Sequence, residues 1–206
     1  MKKLISISLV CLLMTGLFSA CGKSLEADRD TVYVQKKGGI IGAAIADFDK
    51  DYYSEDELKT FVEERVQDYQ EEHGKNSVKI DSFSVEEGVA KLYMKYEGYE
   101  DYQDFNEVTL FSGTVPQALA AGFAFDTEFT QVEDGKAAGS VESATVAETD
   151  YKIVILSEKV DVKVDGVIQY MSSAYTSVKA KDTVAVQVPE EAEDGEELSL
   201  VYIVYK

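Results

Sequence analysis

The chain has few of the side chains on which enzyme chemistry usually depends. Its 206 residues include one histidine, His73, two cysteines, Cys11 and Cys21, and no tryptophan. A single histidine excludes the zinc-protease motif that needs two, and the P-loop and the G-x-G-x-x-G motif are absent. The G-x-S-x-G and S-x-x-K motifs of serine acyl transfer are absent too. We therefore predict no cofactor and no catalytic motif, and a pair of carboxylates is the acid–base chemistry that stays open.

Positive charge is also scarce, because 20 Lys and Arg residues stand against 39 Asp and Glu residues and leave a net charge of −19. Such an acidic chain lacks the basic surface that binds nucleic-acid phosphates, so nucleic acid is excluded as a partner. The charge favours the binding of cations or basic partners. The alternative is that it only keeps the protein soluble. The absence of tryptophan, beside 13 Tyr and 9 Phe, argues mildly against a sugar-stacking site.

The N-terminus has the layout of an export signal. Lys2 and Lys3 precede an apolar run over residues 4–18, which Ser, Thr and Gly interrupt and which is too short for a good membrane span. Small residues then precede Cys21. We predict that residues 1–20 are a signal peptide that is removed on export.

Residues 17–21, Leu-Phe-Ser-Ala-Cys, resemble the lipobox of bacterial lipoproteins. Ser19 and Ala20 are the small residues which that pattern places before its cysteine, whereas Phe18 stands where the family usually has leucine. The resemblance implies that Cys21 carries a diacylglyceryl thioether and becomes the first mature residue. Two or three acyl chains hold a protein firmly to a membrane, since each buried methylene contributes about 0.8 kcal/mol. An ordinary secretory signal followed by a chance cysteine is the alternative.

This resemblance implies an extracytoplasmic protein that is anchored to the cell membrane. Removal of the signal takes away Lys2, Lys3 and Cys11, so the mature chain carries a charge of about −21 and no free thiol for nucleophilic catalysis. It also has no pair of cysteines for an internal disulfide. A lipobox before a small, acidic, Tyr-rich domain is similar to uncharacterised surface lipoproteins of Gram-positive bacteria.

The clearest secondary-structure signal is an amphipathic helix over residues 55–73. Apolar residues recur there at helical spacing, and we expect them to face the core; they are Leu58, Phe61, Val62, Val66 and Tyr69. Ser54 and Glu57 form a capping-box pattern at its start, and Gly74 follows its end. His73 lies in the last turn, where a partly positive ring suits the helix dipole.

The remaining pattern predicts an α+β fold with a hairpin–helix front half and an all-β C-terminal half. A polar tether over residues 21–30 leads into an α+β region over residues 31–130. Residues 131–150, rich in Gly, Ala, Ser and Thr, form a soft boundary, and residues 151–206 read as strands separated by turns such as Asp165–Gly166 and the acidic loop 190–197. The pattern leaves open whether these regions form one domain or two.

The stretch ADFDKDYYSEDELKTF raises the question of whether the chain binds calcium. Asp47, Asp49 and Asp51 alternate along it in the way that acidic ligands alternate in an EF-hand loop. Counted from Asp47, however, the sixth position is Tyr52 instead of glycine and the twelfth is Leu58 instead of glutamate. We therefore predict no metal site and expect these aspartates to face water, with Phe48 and one or both of the adjacent tyrosines buried. A weaker, irregular calcium site stays open.

These observations favour a non-enzymatic lipoprotein that binds a protein partner or assists assembly in the cell envelope. The partner would bind a Tyr-lined surface or pair with an exposed sheet edge. Two alternatives stay open: a solute-capture lipoprotein that serves a transporter, and a carboxylate-dependent hydrolase. A deep cavity with two close acids would favour the hydrolase, and an exposed apolar surface would favour the binding module.

Overall fold

The computed structural model describes residues 25–187 and 199–206. The predicted signal peptide, Cys21 and the acidic loop 190–197 lie outside the described residues. Within them the chain forms four helices and thirteen strands in two sheets, so the predicted α+β class is confirmed.

The four helices of the described chain are short apart from the first. They are α1 (Glu55–His73), α2 (Tyr99–Asn106), α3 (Val115–Ala120) and α4 (Ser143–Ala147). The first sheet has seven strands, which are β1 (Thr31–Val34), β2 (Ile40–Asp47), β3 (Val78–Glu86), β4 (Val89–Tyr96), β9 (Asp161–Val164), β11 (Thr176–Ala180) and β12 (Thr183–Val186). The second sheet has six strands, which are β5 (Leu110–Thr114), β6 (Phe129–Glu133), β7 (Lys136–Val141), β8 (Lys152–Leu156), β10 (Ile168–Ser172) and β13 (Val201–Tyr205).

Each sheet takes strands from both of the chain regions that the sequence distinguishes. The seven-stranded order is β11-β12-β9-β1-β2-β4-β3, and the six-stranded order is β5-β8-β13-β10-β6-β7. In the seven-stranded sheet β1 pairs antiparallel with β2 and parallel with β9, where Val32 lies opposite Val162. The residues expected to be a soft boundary, 131–150, carry the end of β6, all of β7 and α4.

The main core lies where the inner faces of the two sheets meet. Val32 and Val34 of β1 pack there with Val162 of β9, and with residues of the six-stranded sheet such as Leu156 and Ile203. A second apolar cluster lies on the opposite face of the six-stranded sheet, where α3 and α4 cover β8 and β13. Because β8 and β13 are covered on both faces, their sequences KIVIL and VYIVY are almost continuously apolar.

Helix α1 has the predicted bounds, and Ser54 caps it by accepting a hydrogen bond from the Glu57 amide at 3.3 Å. Gly74 follows with a φ of 97°, which glycine adopts without steric cost. Val62 and Val66 are buried against the part of the seven-stranded sheet that the six-stranded sheet leaves uncovered. The prediction was wrong for Phe61, whose side chain is 56% exposed.

The expectation of a tight hairpin at Asp165–Gly166 was also wrong. The two strands that flank it, β9 and β10, belong to different sheets, so the chain crosses between the sheets at this point. The Asp165 carboxylate accepts hydrogen bonds from the Tyr33 hydroxyl at 2.6 Å and the Lys36 amide at 2.9 Å, which holds the crossing against β1. A Cβ at Gly166 would overlap the Lys206 carbonyl oxygen, so glycine serves a close approach here.

Candidate functional site

Three aromatic residues form an exposed cluster between the end of β2 and the start of α1; we call Phe48, Tyr52 and Tyr53 the aromatic junction. The Phe48 and Tyr53 rings stack with centroids 4.9 Å apart, and the Tyr52 ring meets Tyr53 edge-on at 4.9 Å. Tyr52 is 73% exposed and Tyr53 is 43% exposed. The backbone amide of Phe48 donates to the Gly88 carbonyl at 2.6 Å, which ties the cluster to the β3–β4 turn.

The expectation that one or both tyrosines are buried was therefore wrong, and Phe48 is only half-buried. The chain leaves the sheet after Asp47 and enters α1 at Glu55, so the junction lies beyond the end of the sheet and has no core to enter. The tyrosine rings pack against each other and on Phe48 instead. The neighbouring Tyr52 raises the pKa of Tyr53, so that phenol stays neutral at physiological pH.

Acidic residues surround the aromatic junction. Asp47, Asp49 and Asp51 are exposed, and the first turn of α1 adds Glu55, Asp56 and Glu57. Asp49 forms an ion pair with Lys50 at 3.3 Å. Across residues 25–187 and 199–206, no group of three or more His, Cys, Asp or Glu side chains is arranged to hold a metal ion.

A second candidate is a cavity of about 260 Å³ between α1, α2 and the inner face of β2 and β4, which we call the helix–sheet cavity. Its walls are mostly apolar and aromatic. They include Ala44, Phe61, Leu92, Met94, Tyr96 and Phe105. One side of Phe61 therefore faces this cavity and the other faces solvent. This position explains why the side chain is exposed although it is apolar.

Arg65 of α1 lies at this cavity and is held by Phe105 of α2. Its Nη2 donates a hydrogen bond to the Phe105 carbonyl at 3.0 Å, and its guanidinium lies 5.1 Å from the centre of the Phe105 ring. No Asp or Glu of the described chain forms an ion pair with Arg65. In a chain with a net charge of −19, this leaves a fixed cation without an acidic partner in the described residues.

Polar groups deeper in the cavity wall are already satisfied. Asn106 donates to the Tyr96 hydroxyl at 3.1 Å, and the Tyr102 hydroxyl donates to Glu158 Oε1 at 3.2 Å. Burial raises the pKa of Tyr96 to about 12 and also raises the pKa of Tyr102. Both phenols are therefore neutral at physiological pH, and neither is suited to act as a base.

Glu158 and Asp30 are two interacting acids near the helix–sheet cavity, and a carboxylate-dependent hydrolase needs such a pair. Burial raises the pKa of Glu158, and the charge of Asp30 adds to the shift. Glu158 Oε2 is buried and accepts no hydrogen bond from the described residues, while Asp30 Oδ1 accepts one from the Ile45 amide at 2.7 Å. Neither carboxylate lines the helix–sheet cavity, so the pair does not face space for a substrate there.

A polar cleft of about 470 Å³ lies beside β1, β9 and β12. Asp161, only 4% exposed, faces Arg29 Nη1 at 3.3 Å and Lys179 Nζ at 2.6 Å. Lys163 and Asp182 form a further ion pair at 2.7 Å. Since these charges pair with each other, the cleft fastens the segment before β1 to the sheet and offers little charge to a ligand.

The predicted lipid-anchor residue, Cys21, lies outside the described residues, but part of the predicted tether over residues 21–30 is visible. The Ala27 amide donates to the Tyr93 hydroxyl at 3.2 Å, and Arg29 pairs with Asp161, so this part runs along the seven-stranded sheet. Among the residues that the structure describes, no helix combines the length and the hydrophobicity needed to cross a membrane.

Comparison with known proteins gave no match to a family model, a curated protein or a solved structure. Function is therefore inferred from the exposed aromatic junction and the helix–sheet cavity. Neither was located by sequence reasoning, although the pattern DFDKDYY contained the aromatic residues of the first.

We predict that Glu158→Gln stabilises the protein at neutral pH. The folded pKa of Glu158 lies above its unfolded value, so the folded state loses stability as pH rises through the interval between them. The amide keeps an acceptor for Tyr102 and removes the buried charge. The expected gain is therefore the cost of ionising this buried carboxylate, and each kcal/mol moves Tm by roughly 2–4 °C in a protein of this size.

Thermal melts should therefore show a higher Tm for E158Q at pH 7 and no gain near pH 3, where the glutamate is largely protonated in both the folded and the unfolded state. Glu64→Gln on the exposed face of α1 is the matched control and should leave Tm unchanged. An equal effect of both substitutions, or an E158Q effect that does not vary with pH, would show that burial of this carboxylate is not the cause.

Proposed function

We propose that the protein is an extracytoplasmic lipoprotein, anchored to the cell membrane through lipidated Cys21, that acts as a non-enzymatic binding module. Its partner is a basic protein segment in the cell envelope, which docks on the aromatic junction. The observation that carries this proposal is the exposure of the two packed tyrosines, 73% for Tyr52 and 43% for Tyr53, among acidic side chains.

Exposed aromatic rings of this kind suit protein recognition. Tyrosine is enriched among the residues that dominate binding energy at interfaces, because it buries a large ring and still satisfies its hydroxyl. Here the rings already pack against each other and on Phe48, so their side chains lose little conformational freedom when a partner covers them. The junction is thus partly organised for binding before the partner arrives.

Charge selects the chemistry of the partner. Asp47, Asp49 and Asp51 are exposed beside the rings, and the whole chain carries a net charge of −19. This field attracts a cationic partner and repels acidic ones. An arginine or lysine of the partner can lie over a tyrosine face and meet a carboxylate at the same time, which strengthens the attraction to the ring.

We further propose that the front half is built from two hairpin–helix units, β1–β2–α1 and β3–β4–α2. The first unit presents the aromatic junction between its second strand and its helix. Membrane anchoring would confine this surface to a thin layer above the lipid, where tethering raises the effective concentration of an equally confined partner. The order of the elements and the position of the junction support this arrangement.

An alternative site for a protein partner is β7, the edge strand of the six-stranded sheet, where five of the six residues are exposed. The register of β6 and β7 shifts beside Ala138, and such bulges blunt a sheet edge against pairing. We therefore favour the aromatic junction. Of the other functions, solute capture draws support from the helix–sheet cavity, and a hydrolase draws none from the Glu158 and Asp30 pair.

We predict that the double variant Tyr52→Ser and Tyr53→Ser weakens binding of a cationic peptide at least about tenfold, because it removes the ring faces that the peptide covers. The probe is a synthetic Lys- and Arg-containing peptide with one Trp; since the chain has no Trp, the Trp fluorescence reports on the peptide alone. The titration uses the full chain.

Leu119→Ser is the matched control, because Leu119 is 43% exposed on α3, far from the junction in sequence. It should leave the affinity unchanged, and a peptide with Gln in place of Lys and Arg should bind weakly. Equal binding by the double variant and the unsubstituted chain would exclude the junction as the docking surface.

For the anchor, we predict that Cys21→Ser moves the protein from the membrane fraction to the soluble or secreted fraction of a Gram-positive host, because serine lacks the thiol that forms the thioether. Incorporation of a labelled fatty acid should be lost at the same time. Cys11→Ser, within the predicted signal peptide, is the control and should keep both properties. Continued labelling of C21S would contradict lipidation at this residue.

A further inference from the structure

The helix–sheet cavity exists because β2 carries small residues on its inner face. A Cβ at Gly42 would lie 3.2 Å from Tyr102 Cε2 and 3.4 Å from Tyr96 Cε2, so this glycine lets both rings approach the strand closely. Two residues further along β2 is Ala44, which also lines the cavity and is exposed to it. Small residues at both positions leave space under α1 that a larger side chain would fill.

This space has an apolar body and one positive charge. Leu92, Met94 and Tyr96 form apolar and aromatic surface, and Arg65 is the one side chain charged at neutral pH among the described residues that line the cavity. Of the five N–H groups of a guanidinium, one donates to the Phe105 carbonyl, so others stay available to a ligand.

We propose that the helix–sheet cavity binds a small monocarboxylate with an aromatic or short aliphatic body, whose carboxylate pairs with Arg65. This site goes beyond the proposed docking of a basic protein on the aromatic junction and does not depend on it. The two are opposite in charge preference, so one can fail while the other holds.

The size of the cavity limits the ligand. Its volume of about 260 Å³ equals the share of roughly nine water molecules in the liquid, at about 30 Å³ each. This is just below the range of about 300–1,000 Å³ for ordinary ligand sites. A ligand with one ring, or an aliphatic chain of similar bulk, fills it and buries apolar surface against Leu92 and Met94.

Charge limits the ligand further. A planar guanidinium binds a carboxylate through two parallel hydrogen bonds, which fixes the orientation of the ligand. Four acids line the adjacent groove that Arg65 also borders, and none of them forms an ion pair with it; they are Asp68, Glu72, Asp104 and Glu107. These acids disfavour a second negative charge on the ligand, so a monoanion fits and a dianion does not.

The test is isothermal titration calorimetry of the full chain with phenylacetate, and with phenylacetamide as the neutral analogue of the same shape. We expect phenylacetate to bind at one site and phenylacetamide to bind roughly tenfold more weakly. Arg65→Gln should reduce phenylacetate affinity by roughly tenfold or more and remove the difference between the two ligands. Lys59→Gln, which removes the same charge from the same helix but not from the cavity, should change neither.

Ala44→Phe provides a second, independent variant, because its ring occupies the cavity; a thermal melt establishes that it folds. It should abolish phenylacetate binding while leaving the cationic-peptide titration unchanged. The proposal is overturned if phenylacetate gives no binding heat, if R65Q binds it as tightly as the unsubstituted chain, or if a folded A44F retains it.

Discussion

The fold depends on the pairing of β1 with β9. Strand β1 lies between β2 and β9 in the seven-stranded sheet, and its parallel pairing with β9 places residue 31 opposite residue 161. All four of its residues are buried, and Val32 and Val34 enter the core between the two sheets. Without this strand the seven-stranded sheet would divide into a β2-β4-β3 part and a β11-β12-β9 part, each with an unpaired edge. The backbone hydrogen bonds of β1 and its apolar contacts with the six-stranded sheet therefore hold the two parts of the seven-stranded sheet together.

Both candidate sites follow from the position of β2 beside this strand. Its inner face, with Gly42 and Ala44, forms one wall of the helix–sheet cavity, and its end at Asp47 sends the chain through the aromatic junction into α1. Helix α1 in turn contributes Arg65 to the cavity, while Val62 and Val66 hold the helix on the sheet. The same strand–helix unit thus has an anionic, aromatic outer surface and an apolar, cationic inner space, which accounts for opposite preferences in the two proposed ligands.

Features that depend on local chain physics could be predicted from the sequence. Helical spacing, Ser54 and Gly74 predicted α1 with its observed bounds. Features that depend on distant partners could not. Asp165–Gly166 has the composition of a hairpin turn, but its flanking strands find partners in different sheets. Tyr52, Tyr53 and Phe61 are apolar enough to predict burial, yet their exposure is set by where the sheet ends and by the space under α1. The sequence also could not predict that Arg65 has no acidic partner among the described residues, because ion pairing depends on which side chains the fold brings together.

Native-state hydrogen exchange tests the central role of β1 most directly. The Asp161 and Asp165 amides donate to the carbonyls of Asp30 and Val34, at 2.9 Å and 3.1 Å, across the β1–β9 junction. If this pairing holds the fold together, both amides exchange only through global unfolding, with the same opening free energy as amides of the buried strands β8 and β13. Exchange of these two amides through a much smaller opening, while β8 and β13 stay protected, would show that the two parts of the chain separate without unfolding and would contradict the account.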